Sequence, residues 1–189
     1  MALNDVALCS RALIRIGASP ITSFNDGTAE SEIAGALYAP ICDALLSSYR
    51  WSFATGQIAL SALSESPIAD YRYAFQLPVD FLKAISCGIG TKGRGVNYRI
   101  AQGQIHCNVD ALTLTYTYRP EEESFPPFFD AALIARLSAE FCIPITESTS
   151  RAQALFKISE NEFAKARQID AQQQSPTALQ NFSLIDIRD

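Results

Sequence analysis

Four stretches of this sequence hold residue types capable of chemistry. Gly88-Ile89-Gly90-Thr91-Lys92-Gly93 is a literal G-x-G-x-x-G after a strand-like run. A dinucleotide site needs a helix next, with its amino terminus facing the pyrophosphate. The next residues, Arg94-Gly95-Val96-Asn97-Tyr98, read instead as another strand. A flexible hairpin loop is therefore expected, with Lys92 and Arg94 at its tip to touch a neighbouring molecule or DNA. His106-Cys107 offers a base beside a thiol. Adjacent strand residues point to opposite faces, so a buried Cys107 and a solvent-facing His106 are expected. Glu121-Glu122-Glu123 offers the paired carboxylates of glycoside cleavage. Three consecutive acids before a helix are more often solvated, and they suit its positive end. Trp51 and Phe53 suit a ligand platform, or an aromatic plug between helices and sheet, which is the commoner use.

Little else supplies a reaction centre. The single histidine, His106, leaves scant material for His-based catalysis or a multi-His metal site. No cofactor and no metal are expected. Cys9, Cys42, Cys87, Cys107 and Cys142 are odd in number and lack C-x-x-C spacing. Three fall in apolar helical stripes and two in strand-like runs, as buried free thiols in a reducing compartment do. The net charge of −5 argues against a general nucleic-acid binder. An apolar fraction of 48% is ample for a core in 189 residues, which suggest one domain plus an appendage. No amino-terminal signal and no membrane-spanning stretch is expected.

The elements that must position these residues centre on Phe125–Thr146, FPPFFDAALIARLSAEFCIPIT. Apolar residues leave it almost no polar face, so it reads as a helix buried on most sides. Pro126 and Pro127 suit its first turn, Pro144 its far end. Arg136 and Glu140, four apart, can pair. A first helix is expected from Asn4 or Asp5 to about Ile16, ended by Gly17 and Pro20. A second runs from the cap Thr28 to about Arg50, with Ile33, Leu37, Ile41, Leu45 and Ser48 as its buried stripe. Pro40 predicts a kink or break there, at roughly 3 kcal/mol for an interior proline. A last helix of about 40 Å spans about Glu147 to Gln173, antiparallel to the central one, with Ala152, Leu155, Phe156, Phe163, Ala166 and Ile169 facing in.

Between the helical pairs lies a β region. Ile58–Ala62 and Tyr71–Leu77 look extended. Phe81–Cys87, Val96–Ala101, Gln104–Val109 and Leu112–Tyr118 read as strands, with tight turns at Gln102-Gly103 and Val109-Asp110. Short connections predict antiparallel neighbours in one small sheet. The fold class is thus α+β, mainly α: about four helices with an inserted antiparallel sheet and an extended carboxyl-terminal tail. Its blocks are 1–63, a helical pair with Trp51; 64–120, the extended segment and β insertion; 121–175, the second helical pair completing the same domain; and 176–189, a docking tail. The last thirteen residues, TALQNFSLIDIRD, cannot bury enough apolar surface to fold alone. Phe182, Leu184, Ile185 and Ile187 are therefore expected to dock on the chain's own domain or another chain, strand addition at a sheet edge being one mode.

Several blocks resemble the tail tubular protein A family, the head-to-tail adaptors of tailed phages and phage-like gene transfer agents. Asn4-Asp5-Val6-Ala7-Leu8 leads to Ile16-Gly17 and Pro20-Ile21. Leu37-Tyr38 leads through Asp43, Leu45 and Leu46 to Trp51-Ser52-Phe53-Ala54 and Leu60. Tyr73-Ala74-Phe75-Gln76-Leu77-Pro78-Val79-Asp80 precedes the β region, and Tyr116–Arg119 and the helix after Phe125-Pro126-Pro127 also fit. The likeness extends to about Ala171 and excludes 176–189. At Cys42 relatives often carry a basic residue, a departure that bears on any inherited ion pair around Asp43 and not on the fold. The resemblance implies a non-enzymatic structural protein of the virion or phage-like particle, made in the host cytoplasm and placed at the head–tail junction. It implies a homo-oligomeric ring, twelve-fold, with the portal protein above and a tail or stopper (nozzle) protein below, and in such a ring Phe182, Leu184, Ile185 and Ile187 are expected to dock on the portal or an adjacent subunit. Double-stranded DNA would pass without sequence-specific binding, with no membrane involved. An acidic ring wall repels phosphate and lets DNA slide. The alternatives are a minor tail-completion or scaffolding protein and, from another class, a small hydrolase using the acidic loop or Cys107.

Overall fold

The Asn4 side chain accepts a hydrogen bond from the Ala7 N–H at 2.8 Å, and the chain is helical from Asp5 to Arg15 (α1). Gly17, at φ +77°, ends it where a left-handed residue is required. Thr28 and Ser31 cap α2, Ala29–Ser48, reciprocally: each hydroxyl accepts the other's backbone N–H, at 3.2 and 3.1 Å. The computed structural model describes residues 3–173. Two further helices, α3 (Pro127–Thr146) and α4 (Thr149–Ala171), come after six strands: β1 (Thr55–Ser61), β2 (Tyr73–Gln76), β3 (Phe81–Gly88), β4 (Tyr98–Ala101), β5 (Gln104–Cys107) and β6 (Ala111–Tyr118). The fold is α+β and mainly helical.

The break expected at Pro40 is absent, and α2 is helical on both sides of it. Pro40 and Ala36, whose carbonyl loses its usual donor, are both exposed, so water can replace the missing bond. The buried stripe is shifted by one residue. Ala34, Tyr38, Cys42 and Leu46 are buried, while Ile33, Leu37, Ile41 and Leu45 are half-buried and Ser48 is exposed. The helix is apolar over a wide arc, so periodicity alone cannot choose between adjacent stripes.

Helix α3 is the central one and packs on the other three. Its buried side chains run from Phe129 to Cys142. Pro144 does not close it. The proline sits inside the last turn, and Glu147, at φ +53°, makes the stop. Arg136 and Glu140 pair at 2.9 Å, as their spacing predicts. Ser148 caps α4, which is antiparallel to α3: Arg136 reaches Glu160 at 3.4 Å, while Cys142, further along α3, lies by Ser148. On α4 the buried line is Ala152, Ser159, Ala166 and Asp170. Phe156 and Ile169, expected inside, are each 43% exposed.

Two three-stranded antiparallel sheets, ordered β1-β6-β3 and β2-β5-β4, replace the single sheet expected. Gln102 and Gly103, both at positive φ, make the β4–β5 turn as predicted. Val109-Asp110 instead carries the chain from one sheet to the other, because β6 is already flanked by β1 and β3. Phe75, Ile105 and Cys107 from one sheet share a core with Cys87, Leu112 and Leu114 from the other. The first strand begins at Thr55, three residues before the extended run expected from Ile58.

Trp51 joins the helices. It is fully buried, and its ring lies 5.0 Å from Tyr49, 5.1 Å from Phe129 and 5.6 Å from Phe163, centroid to centroid. Its indole N–H donates to the Leu45 carbonyl at 3.1 Å, one of the carbonyls that the end of α2 leaves without a helical donor. Truncating Trp51 to Ala should cost about 3–5 kcal/mol, the range for large aromatics in cores. Equilibrium urea unfolding measures it, and a loss within ~1 kcal/mol of zero would remove Trp51 from this role.

Candidate functional site

The most concentrated polar cluster was not legible in the sequence. It lies where β6 ends against α2. Arg119 donates to Asp43 of α2 and, at 2.9 Å, to Glu122 in the short 3-10 turn Glu122–Ser124. The Tyr38 hydroxyl donates to the same Glu122 oxygen at 3.1 Å. The Arg119 guanidinium also lies 5.9 Å from the centre of the Tyr38 ring. Burial alone would push the Glu122 carboxyl up. The Arg119 hydrogen bond, its own backbone N–H and the Tyr38 hydroxyl outweigh that and hold it below the usual carboxylate range. The expectation of three solvated acids therefore holds only for Glu121 and Glu123, which are exposed. Cys42 adjoins the cluster, buried, its thiol pushed up to about 12 by burial. A cation thus does meet Asp43, supplied from the end of a strand. These groups satisfy one another, and their chemistry is that of a joint between sheet and helix.

A second buried acid was also missed. Asp170, near the end of α4, is 2% exposed and accepts from the Ser52 N–H at 3.0 and 3.1 Å and from the Ser52 hydroxyl at 2.6 Å. It ties the last helix to the residue after Trp51. No sequence signal distinguishes it, because its partners are a backbone N–H and a serine 118 positions away.

The glycine-rich stretch is a loop, but not a hairpin turn. It leaves β3 in one sheet and enters β4 in the other. No helix comes after it before β4. The Gly93 carbonyl accepts from the Ser86 hydroxyl at 2.6 Å and the Thr115 hydroxyl at 3.2 Å, and the Gly90 carbonyl from Thr113 at 2.8 Å. A Cβ on Gly88 would fall 1.6 Å from the Lys92 carbonyl oxygen, so this glycine serves the loop's own closure. Lys92 and Arg94 are exposed, and neither makes an ion pair with another described residue.

His106 and Cys107 are separated as expected. Cys107 is fully buried with its thiol pushed up by burial, and half-buried His106 lies 3.4 Å from the Gln104 amide oxygen. All five cysteines are free and buried. Burial pushes Cys9 up to about 12 and Cys87 to about 11. Trp51 and Phe53 form the aromatic plug, their rings 5.9 Å apart with Phe129 against both. Among the described residues, no three His, Cys, Asp or Glu converge to hold a metal, and no helix is long and apolar enough to cross a membrane. Phe182, Leu184, Ile185 and Ile187 lie outside the described residues.

One surface depression is lined by three helices. It has a volume of about 460 Å³. Leu37, Ile41 and Leu45 of α2 face Ala132 of α3 and Phe163 of α4 across it, with the Arg136, Glu140 and Glu160 ion pairs at its rim. The half-buried stripe of α2, expected in the core, is one wall of this groove.

No protein-family model matches the sequence, and no curated protein matches it.

The polar joint makes a signed prediction. Glu122 has a folded pKa below its ordinary value of 4.5. Its contribution is therefore present in full above the unfolded pKa and is lost as pH falls through the folded one. Replacing Glu122 with Gln should lower stability at pH 7 and reduce the loss of stability on going from pH 5 to about pH 3. Urea midpoints across that range test this, and an unchanged acid slope would contradict it.

Proposed function

We propose that this chain is a head-to-tail adaptor: a structural, non-enzymatic protein that assembles into a ring beneath a portal, continues the DNA channel and seats the tail. The observation that carries the reading is where the family-like blocks fall. Trp51-Ser52-Phe53-Ala54 is the junction of three helices and a sheet, with the Ala54 carbonyl accepting from the Tyr118 N–H at 3.0 Å. Asp80, closing the Tyr73–Asp80 block, accepts from the Arg119 N–H through its carbonyl at 2.9 Å and from the Tyr116 hydroxyl through its carboxylate at 3.2 Å. Asp43 of the second block holds Arg119 of the fourth. Blocks that fix shape rather than line a cleft suit a protein that works by shape.

Charge distribution supports self-association. Residues 81–109 contain Lys83, Lys92, Arg94 and Arg99 and no acid, leaving eleven cations against twenty anions in the rest of the chain. A molecule with one basic and one acidic part attracts a copy of itself head to tail. Such heterologous contacts close into rings when the rotation permits. The hydrolase alternative draws no support from Cys107, whose burial disfavours the thiolate a nucleophile needs, or from Glu122, which is held by Arg119.

In particles that contain this chain, it should be a stoichiometric component, and a label fused to it should appear at the neck in electron micrographs. The isolated chain should associate with concentration, and the Lys92→Glu/Arg94→Glu double variant or raised salt should weaken that association in sedimentation velocity. Absence from particles, or turnover of a substrate by a lone monomer, would sink the adaptor reading.

A further inference from the structure

The groove walled by Ile41 and Leu45 of α2 and Phe163 of α4 is apolar at its floor and carries both signs of charge at its rim, in Arg136, Glu140 and Glu160. A trough of about 460 Å³ is within the ~300–1,000 Å³ of clefts that enclose a ligand or several side chains. We infer that its occupant in the free subunit is the chain's own carboxyl-terminal segment, residues 177–189. The reach is sufficient. Helix α4 ends at Ala171, anchored through Asp170 to Ser52. Phe163 and Glu160 stand seven and ten residues before Asp170, about 10 and 15 Å back along the helix at ~1.5 Å per residue. The eight residues 174–181 span up to about 26 Å when extended, so the chain from Phe182 onward can return over the whole groove.

The chemistry fits as well. Phe182, Leu184, Ile185 and Ile187 supply apolar side chains, and Asp186 and Arg188 flank Ile187 with opposite charges to meet a rim of mixed sign. A short tether holds its segment at an effective concentration on the order of millimolar. A weak intrinsic fit is then enough to favour the segment over a second copy at dilution.

Ala44 lines the groove and is exposed, and the native thiols are all buried, so Ala44→Cys places one reactive thiol there. In the full-length chain at low concentration, that thiol should react with an aromatic disulfide reagent about tenfold more slowly than in a full-length Leu184→Asp/Ile185→Asp variant, the protection given by a segment docked about nine-tenths of the time. Circular dichroism and melting confirm that both chains are folded. A synthetic peptide of residues 177–189 added in excess to the double variant should restore the slow rate. Equal rates in the two chains would overturn the proposal, as would protection that disappears on dilution, which marks a second copy as the occupant. Neither result depends on whether the chain forms a ring, so this proposal and the adaptor reading fail separately.

Discussion

Residues 49–55 carry the constraint on which the rest depends. A wholly buried indole sits at the point where α2 stops, the first sheet starts, and α3 and α4 run past. Each neighbour contributes an aromatic edge or a backbone group: Phe129 from α3, Phe163 from α4, and the Leu45 carbonyl from α2. The residues just after the indole add to the junction. Ser52 is held by Asp170, the Phe53 carbonyl accepts from the Tyr118 hydroxyl at 3.0 Å, and the Thr55 hydroxyl returns to the Trp51 carbonyl at 2.6 Å. Burying an indole gains apolar transfer free energy only if its N–H keeps a partner. The end of a helix leaves carbonyls without intrahelical donors, and the Leu45 carbonyl accepts both the indole N–H and the Ser48 hydroxyl. Trp51 meets that carbonyl because it stands only three residues after the end of α2, directly before the chain enters β1.

Two hydrophobic cores result, one among the helices and one between the sheets. They are linked by charge as well as by the Trp51 junction. Arg119 binds Asp43 and Glu122, and on the other side of the link Lys83 donates to the Ser47 carbonyl at 3.2 Å near the end of α2. Half-buried ion pairs add modest net stability, because desolvation opposes the attraction. What they supply is direction. An arginine with two carboxylates placed on different elements permits few orientations of sheet against helix. The Arg119 cluster and the Lys83 contact thus fix the sheet against α2 with polar groups that face one another rather than a ligand.

The helices were legible because their signals are local. Asn4, Thr28, Gly17 and the proline pair before Phe128 act within one turn, and the structure uses each as its chemistry suggests. The errors occurred where the deciding interaction is distant. Apolar periodicity on α2 and α4 left neighbouring stripes equivalent, and only the small residues Ala34, Cys42, Ala152, Ser159 and Ala166, which permit close packing, mark the true contact. The division of the strands into two sheets arises from β6 being taken by β1 and β3, a long-range fact that turn residues do not encode. Arg119, Asp170 and the groove share that difficulty. Each is made by residues from separate elements that no short motif unites.

The placement of the basic part narrows the geometry of any ring built from this body. A strand of DNA passing a wall that presents Lys83, Lys92, Arg94 and Arg99 from every subunit would release counterions at each contact and bind tightly. Passage without retention requires that the wall be neutral or acidic, and outside residues 81–109 the chain carries twenty anions against eleven cations. Under the adaptor reading proposed above, the β unit would stand at a rim or outer face, with its loop toward an acidic neighbour. In that arrangement the cations would contribute to association and the anions to free passage, within one chain of net charge −5. Reversing the arrangement, with the loops inward, would set the same charges against both functions at once.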